Sequence, residues 1–518
     1  MRRETRRLSV LLAMTTALVP ATAMTSAGGT GAVTAAARPS ARSTVFVADP
    51  LPTWQVDGAA WALASGRGVV YVGGEFDAVR PPGAAAGTRE ASRANFASFN
   101  ARTGHLLKCA PRFTLPSGKT PTITALAMSP RNTTVYIGGR FSSVDGRRFS
   151  NFVALNTSTC LPRPGYPSFN GIVRTIVAQK NRVFVGGDFS ASEGMARSRL
   201  AAMTASGQLL GWSPSADDSV RALTLDPAGS RLYAGGSFLH VDGQAIQKLV
   251  ALDTASGGVV QDFPGWVDGT RERVTTLASD DRYVYLGVEG SGRGQFDGRI
   301  AADVDTGQLH WRVGCKGATQ DVLPYRHVLY SASHSHDCSM SPGGFPNYAM
   351  DGRQHLLAES IANRTVLPWF PDTDEGPHGI GLGPHVLDVA AGSLWVGGEF
   401  TSVNKRPQQG LTRLPTRPDV GAPATHTPTA ASPKAGRVTV TWPASWDRDD
   451  GRLIYTLYRD SRPRPVDRIR LGSRYWDRPT MTYHRAGLRS GSTHSYRVTV
   501  SDGINTSPLS KAATVRVR

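Results

Sequence analysis

The chain has 518 residues, of which 40% are hydrophobic and 56 are glycine, and its formal net charge is +18 at pH 7. This composition excludes a disordered or collagen-like chain and is typical of a β-rich globular protein with many tight turns and more than one domain. No apolar run after the N-terminal segment is long enough for a membrane-spanning helix, and no nucleic-acid-binding motif accompanies the positive charge. We therefore expect neither a membrane span nor a nucleic-acid partner.

The N-terminal segment predicts export from the cell. A basic start is followed by an apolar run to about Val19, and the small residues at 21–23 fit the rule for a cleavage site. We predict a signal peptide at residues 1–23, with cleavage as late as residue 37, and a flexible mature N terminus at residues 24–42. The sequence "TRRLSV" leaves the general secretory and twin-arginine routes both open. The expected location is extracellular, either secreted or associated with the cell surface.

A strand motif recurs along most of the chain. The stretch "VYVGGEF" at residues 70–76 returns as "VYIGGRF", "VFVGGDF", "LYAGGSF" and "LWVGGEF", with degenerate copies at "VYLGVEG" and "LYSASHS". The aromatic residues that mark the copies are Tyr71, Tyr136, Phe184, Tyr233, Tyr285, Tyr330 and Trp395. Most of their spacings match the length of one four-stranded propeller blade. The sequence therefore predicts an all-β protein with a seven-bladed β-propeller over residues 43–416.

The two ends of the repeat region are predicted to close the ring. The stretch "LTRLPT" at residues 411–416 looks like the third strand of an incomplete last unit. We expect "STVFVADP" at residues 43–50 and "DGAAWALA" at residues 57–64 to supply the strands that this unit lacks. Pairing the ends in this way removes exposed sheet edges.

The glycine pair of the motif is interpreted as structural. Glycine is required at a β-bulge or wherever a Cβ would clash with a neighbouring backbone, and the phenylalanine that follows would fill the space between blades. The alternative is a ligand site, but a site repeated in every blade is less consistent with a specific ligand.

The "VYVGGxF…VDG" units resemble the delta-60 β-propeller repeats of secreted actinobacterial proteins and of fungal cortical polarity-marker proteins. The resemblance covers roughly Val45 to Pro415. It implies a secreted propeller without a defined activity, since no catalytic residue set belongs to that family. A quinoprotein propeller is the rival interpretation, because "ADVDTGQLHW" imitates its blade-ending motif, but this motif occurs convincingly only once.

Four cysteines in an exported chain are expected to form disulfides. Cys109 and Cys160 follow equivalent "N-x-x-T" turns of consecutive repeats, and Cys315 and Cys338 are close in sequence. We predict the pairs Cys109–Cys160 and Cys315–Cys338.

A second domain follows a linker rich in proline, alanine and threonine at residues 417–433. Residues 421–518 read as alternating strands and resemble a fibronectin type III sandwich, with Trp442 at the position of the core tryptophan. In "GLRSGSTHSYRV", Ser490 replaces the family's proline and His494 replaces its corner tyrosine. The second change puts the corner hydrogen bond in doubt.

Histidines and carboxylates cluster in two segments that depart from the repeat. The candidate metal ligands are His334, His336, Asp337, Asp372 and Asp374. Imidazoles two residues apart on a strand share one face, so they favour zinc, whereas the aspartates favour calcium. The alternatives are polar loop residues held by the Cys315–Cys338 disulfide, or catalytic groups. A further acidic stretch, "DRDDG" at residues 447–451, is interpreted as a solvated loop rather than a calcium loop because no glutamate closes it.

The second domain carries an excess of basic residues. From Asp419 onward there are 17 basic and 8 acidic residues. The candidate binding residues are Arg464, Arg468, Arg470, Arg474 and Trp476. Arginines can grip phosphate or carboxylate groups and aromatic rings can stack on sugars, which predicts retention on an anionic cell-wall polymer or extracellular glycan. A solvated basic surface is the alternative.

Together these features predict a secreted or cell-surface binding protein, or scaffold, that recognises extracellular or cell-wall polymer through its propeller loops and its basic domain. The opposing hypothesis is a carbohydrate-active enzyme, a glycoside hydrolase or lyase, with its acid and base among the loop carboxylates. Neither H-E-x-x-H nor G-x-S-x-G occurs, so the sequence assigns no catalytic residue.

Overall fold

The computed structural model describes residues 44–116, 119–347, 353–377 and 382–518. In these ranges every regular element is a β-strand, with no α-helix. None of the described residues belongs to a helix that is long and apolar enough to cross a membrane. The predicted signal peptide and mature N terminus lie outside the described residues, so both stay predictions.

The described residues up to Pro415 include seven antiparallel sheets of three or four strands that follow one another along the chain. Their strands are Ala59–Gly66, Val69–Glu75 and Phe96–Asn100 in the first sheet; Thr122–Met128, Thr134–Arg140 and Phe152–Asn156 in the second; Val173–Ala178, Arg182–Gly187 and Leu200–Thr204 in the third; Val220–Leu225, Arg231–Gly236, Leu249–Asp253 and Val259–Asp262 in the fourth; Glu272–Ser279, Tyr283–Gly290, Gly298–Asp303 and Leu309–Gly314 in the fifth; Thr319–Tyr325, Val328–Ser335 and Gln354–Ser360 in the sixth; Pro384–Ala390, Ser393–Gly398 and Leu411–Pro415 in the seventh.

The sheets are arranged as a β-propeller. The first strand of each sheet, called the inner strand below, contacts the inner strand of the next sheet. The inner strand of the seventh sheet contacts that of the first, so the contacts run around a ring. Apolar clusters fill the spaces between neighbouring sheets, and the motif phenylalanines are buried there, for example Phe141, Phe189 and Phe238.

Short hairpins extend several sheets at one end. Their strands are Gln55–Val56, Ala78–Arg80 and Ala91–Ser92; Phe113–Thr114, Ser143–Val144 and Arg147–Arg148; Ala191–Ser192 and Met195–Ala196; His240–Val241 and Gln244–Ala245; Ser402–Val403 and Arg406–Pro407. The "VDG" letters supply the turns of the hairpins in the second and fourth repeats. Asp145 and Gly146 both have positive φ, as do Asp242 and Gly243. Two successive positive φ values define the tight hairpin turn that favours Asp-Gly.

Each inner strand contains a β-bulge, and outside the fifth and sixth sheets a glycine pair lies opposite that bulge. A Cβ on Gly74 would lie 2.0 Å from the Ala59 carbonyl oxygen, and a Cβ on Gly187 would lie 2.0 Å from that of Ile172. A Cβ on the first glycine of a pair, such as Gly186, would lie 2.6 Å from a valine Cγ of the next inner strand. The predicted structural role of the pair is therefore confirmed.

The N-terminal segment closes the seventh sheet from its outer side. The Val47 amide donates to the Pro415 carbonyl and the Leu51 amide to the Arg413 carbonyl, both at 2.8 Å. This agrees with the expectation for residues 43–50. The expectation for "DGAAWALA" is wrong, because those residues lie in the inner strand of the first sheet, and Pro384–Ala390 already provides the inner strand of the seventh.

Both predicted disulfides are present, and each joins neighbouring sheets. Cys109–Cys160 connects segments that follow the third strands of the first and second sheets. Cys315–Cys338 connects the fifth sheet to the sixth. Beside it, the fully buried Arg299 guanidinium forms a two-point ion pair with the buried Glu359 carboxylate. The fifth sheet has only the first glycine of the pair and the sixth has neither, and a covalent bond and a buried ion pair join these two sheets.

Residues 429–518 form two further sheets that face each other. Their strands are Thr429–Ala431, Val438–Pro443 and Thr480–Arg485 in one, and Asp467–Gly472, Arg452–Arg459, Thr493–Ser501 and Ala513–Arg516 in the other. Trp442, Tyr455 and Tyr496 lie in the shared apolar core. His494, at the predicted corner, bonds the Asp460 carboxylate at 2.8 Å. The C-terminal region is thus a small β-sandwich.

The sandwich packs directly on the propeller. The Phe370 ring stacks on Tyr475 with 4.7 Å between centroids. The Ala48 amide, next to the closing hydrogen bonds, donates to the Asp449 carboxylate at 3.0 Å. The predicted linker takes part in the packing, since the Val420 amide donates to Asp49 and residues 429–431 are a sandwich strand.

Replacing Gly187 by alanine should destabilise the protein. The new Cβ would overlap the Ile172 carbonyl, and overpacking of this kind costs about 2 kcal/mol or more. The control is Gly211→Ala, because nothing lies within 4 Å of a Cβ there. We expect a clearly lower melting temperature for Gly187→Ala and no decrease for Gly211→Ala. Equal melting temperatures would contradict the assigned role of the glycine pair.

Candidate functional site

A cavity of about 230 Å³ lies at the centre of the ring and is lined by residues of all seven inner strands. A bulge adds one residue to a strand, and in each sheet the side chain of that extra residue lines the cavity. These seven residues, called the bulge residues below, are Trp61, Thr124, Arg174, Arg221, Thr275, Gln320 and His385. Because they differ from sheet to sheet, they give the channel a distinct surface within an otherwise repeated backbone.

A second layer of polar side chains adjoins the bulge residues. It comes from the position after the glycine pair or its replacement: Glu75, Arg140, Asp188, Ser237, Glu289, His334 and Glu399. Three sheets show contacts between the layers. Arg174 donates to both carboxylate oxygens of Asp188 at 2.7 and 2.6 Å, Arg221 donates to Ser237 at 3.3 Å, and His385 lies 3.3 Å from Glu399.

Three arginines lie in the part of the ring formed by the third to fifth sheets. Arg174, Arg221 and Arg273 lie on successive inner strands. Burial, together with the charges of its two arginine neighbours, lowers the pKa of Arg221. Although burial opposes it, hydrogen bonds from Arg174 and Ser219 hold the pKa of Asp188 below its ordinary value. Arg174 is paired with the Asp188 carboxylate and Arg273 with that of Glu289, so neighbouring carboxylates balance two of the three arginine charges.

Asp321 forms hydrogen bonds that connect the fifth, sixth and seventh sheets at the channel wall. Its carboxylate accepts hydrogen bonds from the Thr276 hydroxyl at 2.8 Å, from the Val322 amide at 2.9 Å and from the Leu387 amide at 2.7 Å. Part of its surface faces the channel, but it is otherwise enclosed by protein. Burial raises the pKa of Asp321 to about 6 even though these three hydrogen bonds favour the charged form.

The predicted histidine–carboxylate residues are largely engaged in separate contacts. Asp337 pairs with Lys316 at 2.6 Å, and Asp374 accepts the Thr401 amide at 2.6 Å. The His334 and His336 rings lie 5.6 Å apart. Burial, followed by the charges of neighbouring basic groups, lowers the pKa of His334 to about 4.

Asp372 lies in the loop between the sixth and seventh sheets, where its amide donates to Asn404 at 3.0 Å. His378, from the same segment, lies outside the described residues. The predicted zinc or calcium site on these residues stays a prediction.

A different set of carboxylates can hold a metal ion. Among the described residues, one group of three potential ligands has its ligand atoms within 4.8 Å of one another: Asp419, Asp449 and Asp450, all buried. Burial and the adjacent Asp449 raise the pKa of Asp447 in the same loop. The interpretation of "DRDDG" as a solvated loop is wrong, because the sandwich packs this loop against the propeller. Ligands that are all oxygen suit calcium.

The predicted binding residues of the sandwich lie in two different environments. Arg464, Arg468 and Arg470 are exposed. Arg474 instead donates to the Gly343 carbonyl of the propeller, and Trp476 packs on Phe345 with 5.5 Å between ring centroids. The last two residues thus contribute to the contact between propeller and sandwich.

Arg468 and Arg470 belong to a larger surface that sequence reasoning missed. The four-stranded sheet of the sandwich has one face in the core, and on its outer face alternate residues include five arginines. This basic face consists of Arg452, Arg468, Arg470, Arg497 and Arg516. No residue of these four strands places a carboxylate on that face. The signal for it was the alternation of arginine with apolar residues in "DRIRLG", since each of the other three strands adds one arginine to this face.

The bulge residues were also missed. They share no chemistry, so they form no motif, but aligning the repeats on the aromatic marker would have shown a variable position ten or twelve residues before it.

Comparisons with known proteins add little to this site. No family model matches the chain, and no curated protein matches it. Among solved structures, the chain is similar to the β-propeller domain of Myceliophteria thermophila Cps50 (Swd1), with a TM-score of 0.42 and 10% sequence identity. That match covers 71% of this chain and 100% of the other. A similarity at this level carries no argument about function, which is therefore argued from the residues.

The titration of Asp321 should make stability depend on pH. The carboxyl has a pKa of about 6 in the folded chain and about 4 when unfolded. The folded state therefore binds the proton more tightly, so this stabilisation is complete below pH 4 and is lost as the pH rises through 6. Relative to Asp321→Asn, the free energy of unfolding of the wild type should fall by about 2 kcal/mol between pH 4 and pH 7.

Urea unfolding at several pH values measures this difference, with Asp281→Asn, in an exposed turn, as the control. A difference between wild type and Asp321→Asn that stays constant with pH would contradict the assignment.

Calorimetry on metal-stripped protein can separate the two candidate metal sites. We expect binding heat with Ca²⁺ that is lost in Asp449→Asn, because the buried aspartates provide oxygen ligands. If the predicted histidine site also binds, heat with Zn²⁺ should be lost in His336→Ala and retained in Asp449→Asn. No heat and no change in melting temperature with either ion would contradict both sites.

Proposed function

We propose that the protein is an extracellular or cell-surface binding protein that is retained on anionic wall polymer or glycan. In this proposal residues 1–23 are a signal peptide, and the seven sheets are the blades of a delta-60-type propeller over residues 43–416. The linker at 417–433 leads into a fibronectin type III domain at 421–518. The two disulfides support an oxidising compartment.

The observation that carries the proposal is the basic face of the sandwich. Five guanidinium groups share one surface of a rigid sheet, so their positions are fixed relative to one another. Arginine binds phosphate and carboxylate through two parallel hydrogen bonds. Tyr458 and Thr456, on the same face, add an aromatic ring and a hydroxyl that suit a sugar backbone. A polymer that repeats its anionic groups can contact several of these arginines at once.

The propeller adds a second binding surface. Its ring holds the bulge residues around a channel, and its loops depart from the repeat between the sixth and seventh sheets. In this proposal the sandwich retains the protein on polymer and the propeller selects what is bound there.

The alternative function, a glycoside hydrolase or lyase, is favoured by one observation. Glu75 and Glu399 line the same cavity, as a pair of catalytic carboxylates would. Release of reducing ends from labelled polysaccharide distinguishes this alternative from retention without turnover.

Removing two arginines from the basic face should weaken retention. We expect the full-length protein to bind purified cell-wall material at 0.05 M salt and to elute by 1 M, because the screening length falls to about 3 Å. The double variant Arg468→Ser/Arg470→Ser should elute at clearly lower salt. The control, Arg147→Ser/Arg148→Ser, changes the charge equally on an exposed propeller hairpin.

Wall material from which phosphate polymers have been stripped should retain less wild-type protein. Unchanged elution of the Arg468→Ser/Arg470→Ser variant would contradict the role of the basic face.

A further inference from the structure

A second cavity opens beside the central channel, between the first and seventh sheets. It has a volume of about 350 Å³, within the range of roughly 300–1,000 Å³ typical of small-ligand sites. Four carboxylates line it, together with two aromatic side chains. This acidic cup consists of Asp57, Glu75, Asp77, Glu399, Trp61 and Phe76.

The floor of the cup contains a buried carboxylate that is only half satisfied. Glu399 is 2% exposed. Its Oε1 lies 3.3 Å from His385 Nε2, whereas Oε2 has no hydrogen-bond partner among the described residues. The indole Nε1 of Trp61 also has no hydrogen-bond partner among the described residues. The centroids of the Trp61 and His385 rings lie 4.2 Å apart. Buried polar atoms are normally hydrogen-bonded, so these two atoms indicate a polar ligand.

The rim gives the cup a strongly negative charge. Asp57 is held by hydrogen bonds from the Asp77 and Ala78 amides at 2.9 and 3.0 Å, and Glu75 and Asp77 are exposed. No lysine or arginine is among the described residues that line the cavity. Arg140 bonds the backbone beside the cavity, where it donates to the Thr120 carbonyl at 3.3 Å. An anionic ligand is therefore disfavoured.

The arrangement of the carboxylates also disfavours a bare metal ion. Among the described residues they do not form a group of three ligand atoms within 4.8 Å of one another, as the three aspartates of the sandwich do. The space between them instead suits a molecular cation. An ammonium group offers three donors for carboxylate oxygens, and an aromatic face adds cation–π attraction.

We propose that the acidic cup binds a ligand bearing a primary ammonium group, with Glu399 Oε2 as the acceptor at its floor and Trp61 against its apolar part. An amino sugar and a lysine side chain both have this chemistry. The inference goes beyond polymer retention, because the cup has the opposite charge to the basic face, which repels such a ligand.

Isothermal titration calorimetry on the full chain tests the proposal with three probes. These are the fully deacetylated glucosamine tetramer, its N-acetylated counterpart and the peptide Gly-Lys-Gly-amide. We expect the glucosamine tetramer or the lysine peptide to bind at least tenfold more tightly than the N-acetylated tetramer, which has no ammonium group. The relative affinity of the two amines identifies the source of the ammonium group.

Two substitutions locate the site. Glu399→Gln keeps the size of the side chain and should weaken amine binding by about tenfold or more, since it replaces a carboxylate acceptor by a neutral amide. Asp77→Asn, at the exposed rim, should weaken it a few-fold without any risk to folding. The control is Glu193→Gln on an exposed hairpin of the third sheet.

Equal binding of the acetylated and deacetylated tetramers, or absence of amine binding, would overturn the proposal. So would equal affinities for Asp77→Asn and Glu193→Gln. Retention on cell-wall material should be unaffected by all three substitutions, so failure of the cup and failure of the basic face are distinguishable.

Discussion

The close approach between the glycine pair and the bulged inner strand is the constraint on which the propeller depends. At Gly74 and Gly187 a single extra carbon would lie 2.0 Å from a carbonyl oxygen of the neighbouring strand. The bulge that creates this contact also supplies the extra residue that faces the channel. One backbone device therefore fixes the repeated architecture and exposes the variable side chains, which explains how a repetitive sequence can carry a specific surface.

Much of the architecture was predictable because it repeats. The copies of the motif, the Asp-Gly hairpins and both disulfides follow from short-range patterns, and the glycine pair indicated a close approach. The channel was not predictable in the same way. Trp61, Arg174 and His385 occupy equivalent positions but share no chemistry. They all line the channel because of the strand register, which the amino-acid sequence does not state directly. The inner strand at residues 59–66 was misplaced for the same reason.

Contacts between distant segments explain the other differences. The acidic loop around Asp449 looks solvated in sequence because nothing nearby covers it, yet the N-terminal segment and residues near Asp419 bury it. In the sequence Trp476 resembles an exposed stacking residue, but in the structure its ring packs against Phe345 of a propeller loop. The net charge of +18 does not show how the charges are distributed: the basic face lies on the sandwich and the acidic cup on the propeller. The sum of the charges predicts neither surface.

Closure of the seventh sheet by the N-terminal segment has a consequence for the nascent chain. Val47 and Leu51 are among the first described residues to be synthesised, but their partners are Pro415 and Arg413. At roughly 5–20 residues per second, the early segment waits on the order of tens of seconds for the backbone that completes its sheet. Ala48 waits longer still, for Asp449. Until then the partial ring has two open sheet edges, which can pair with another chain, and the Asp449 loop bonds a segment synthesised 401 residues before it.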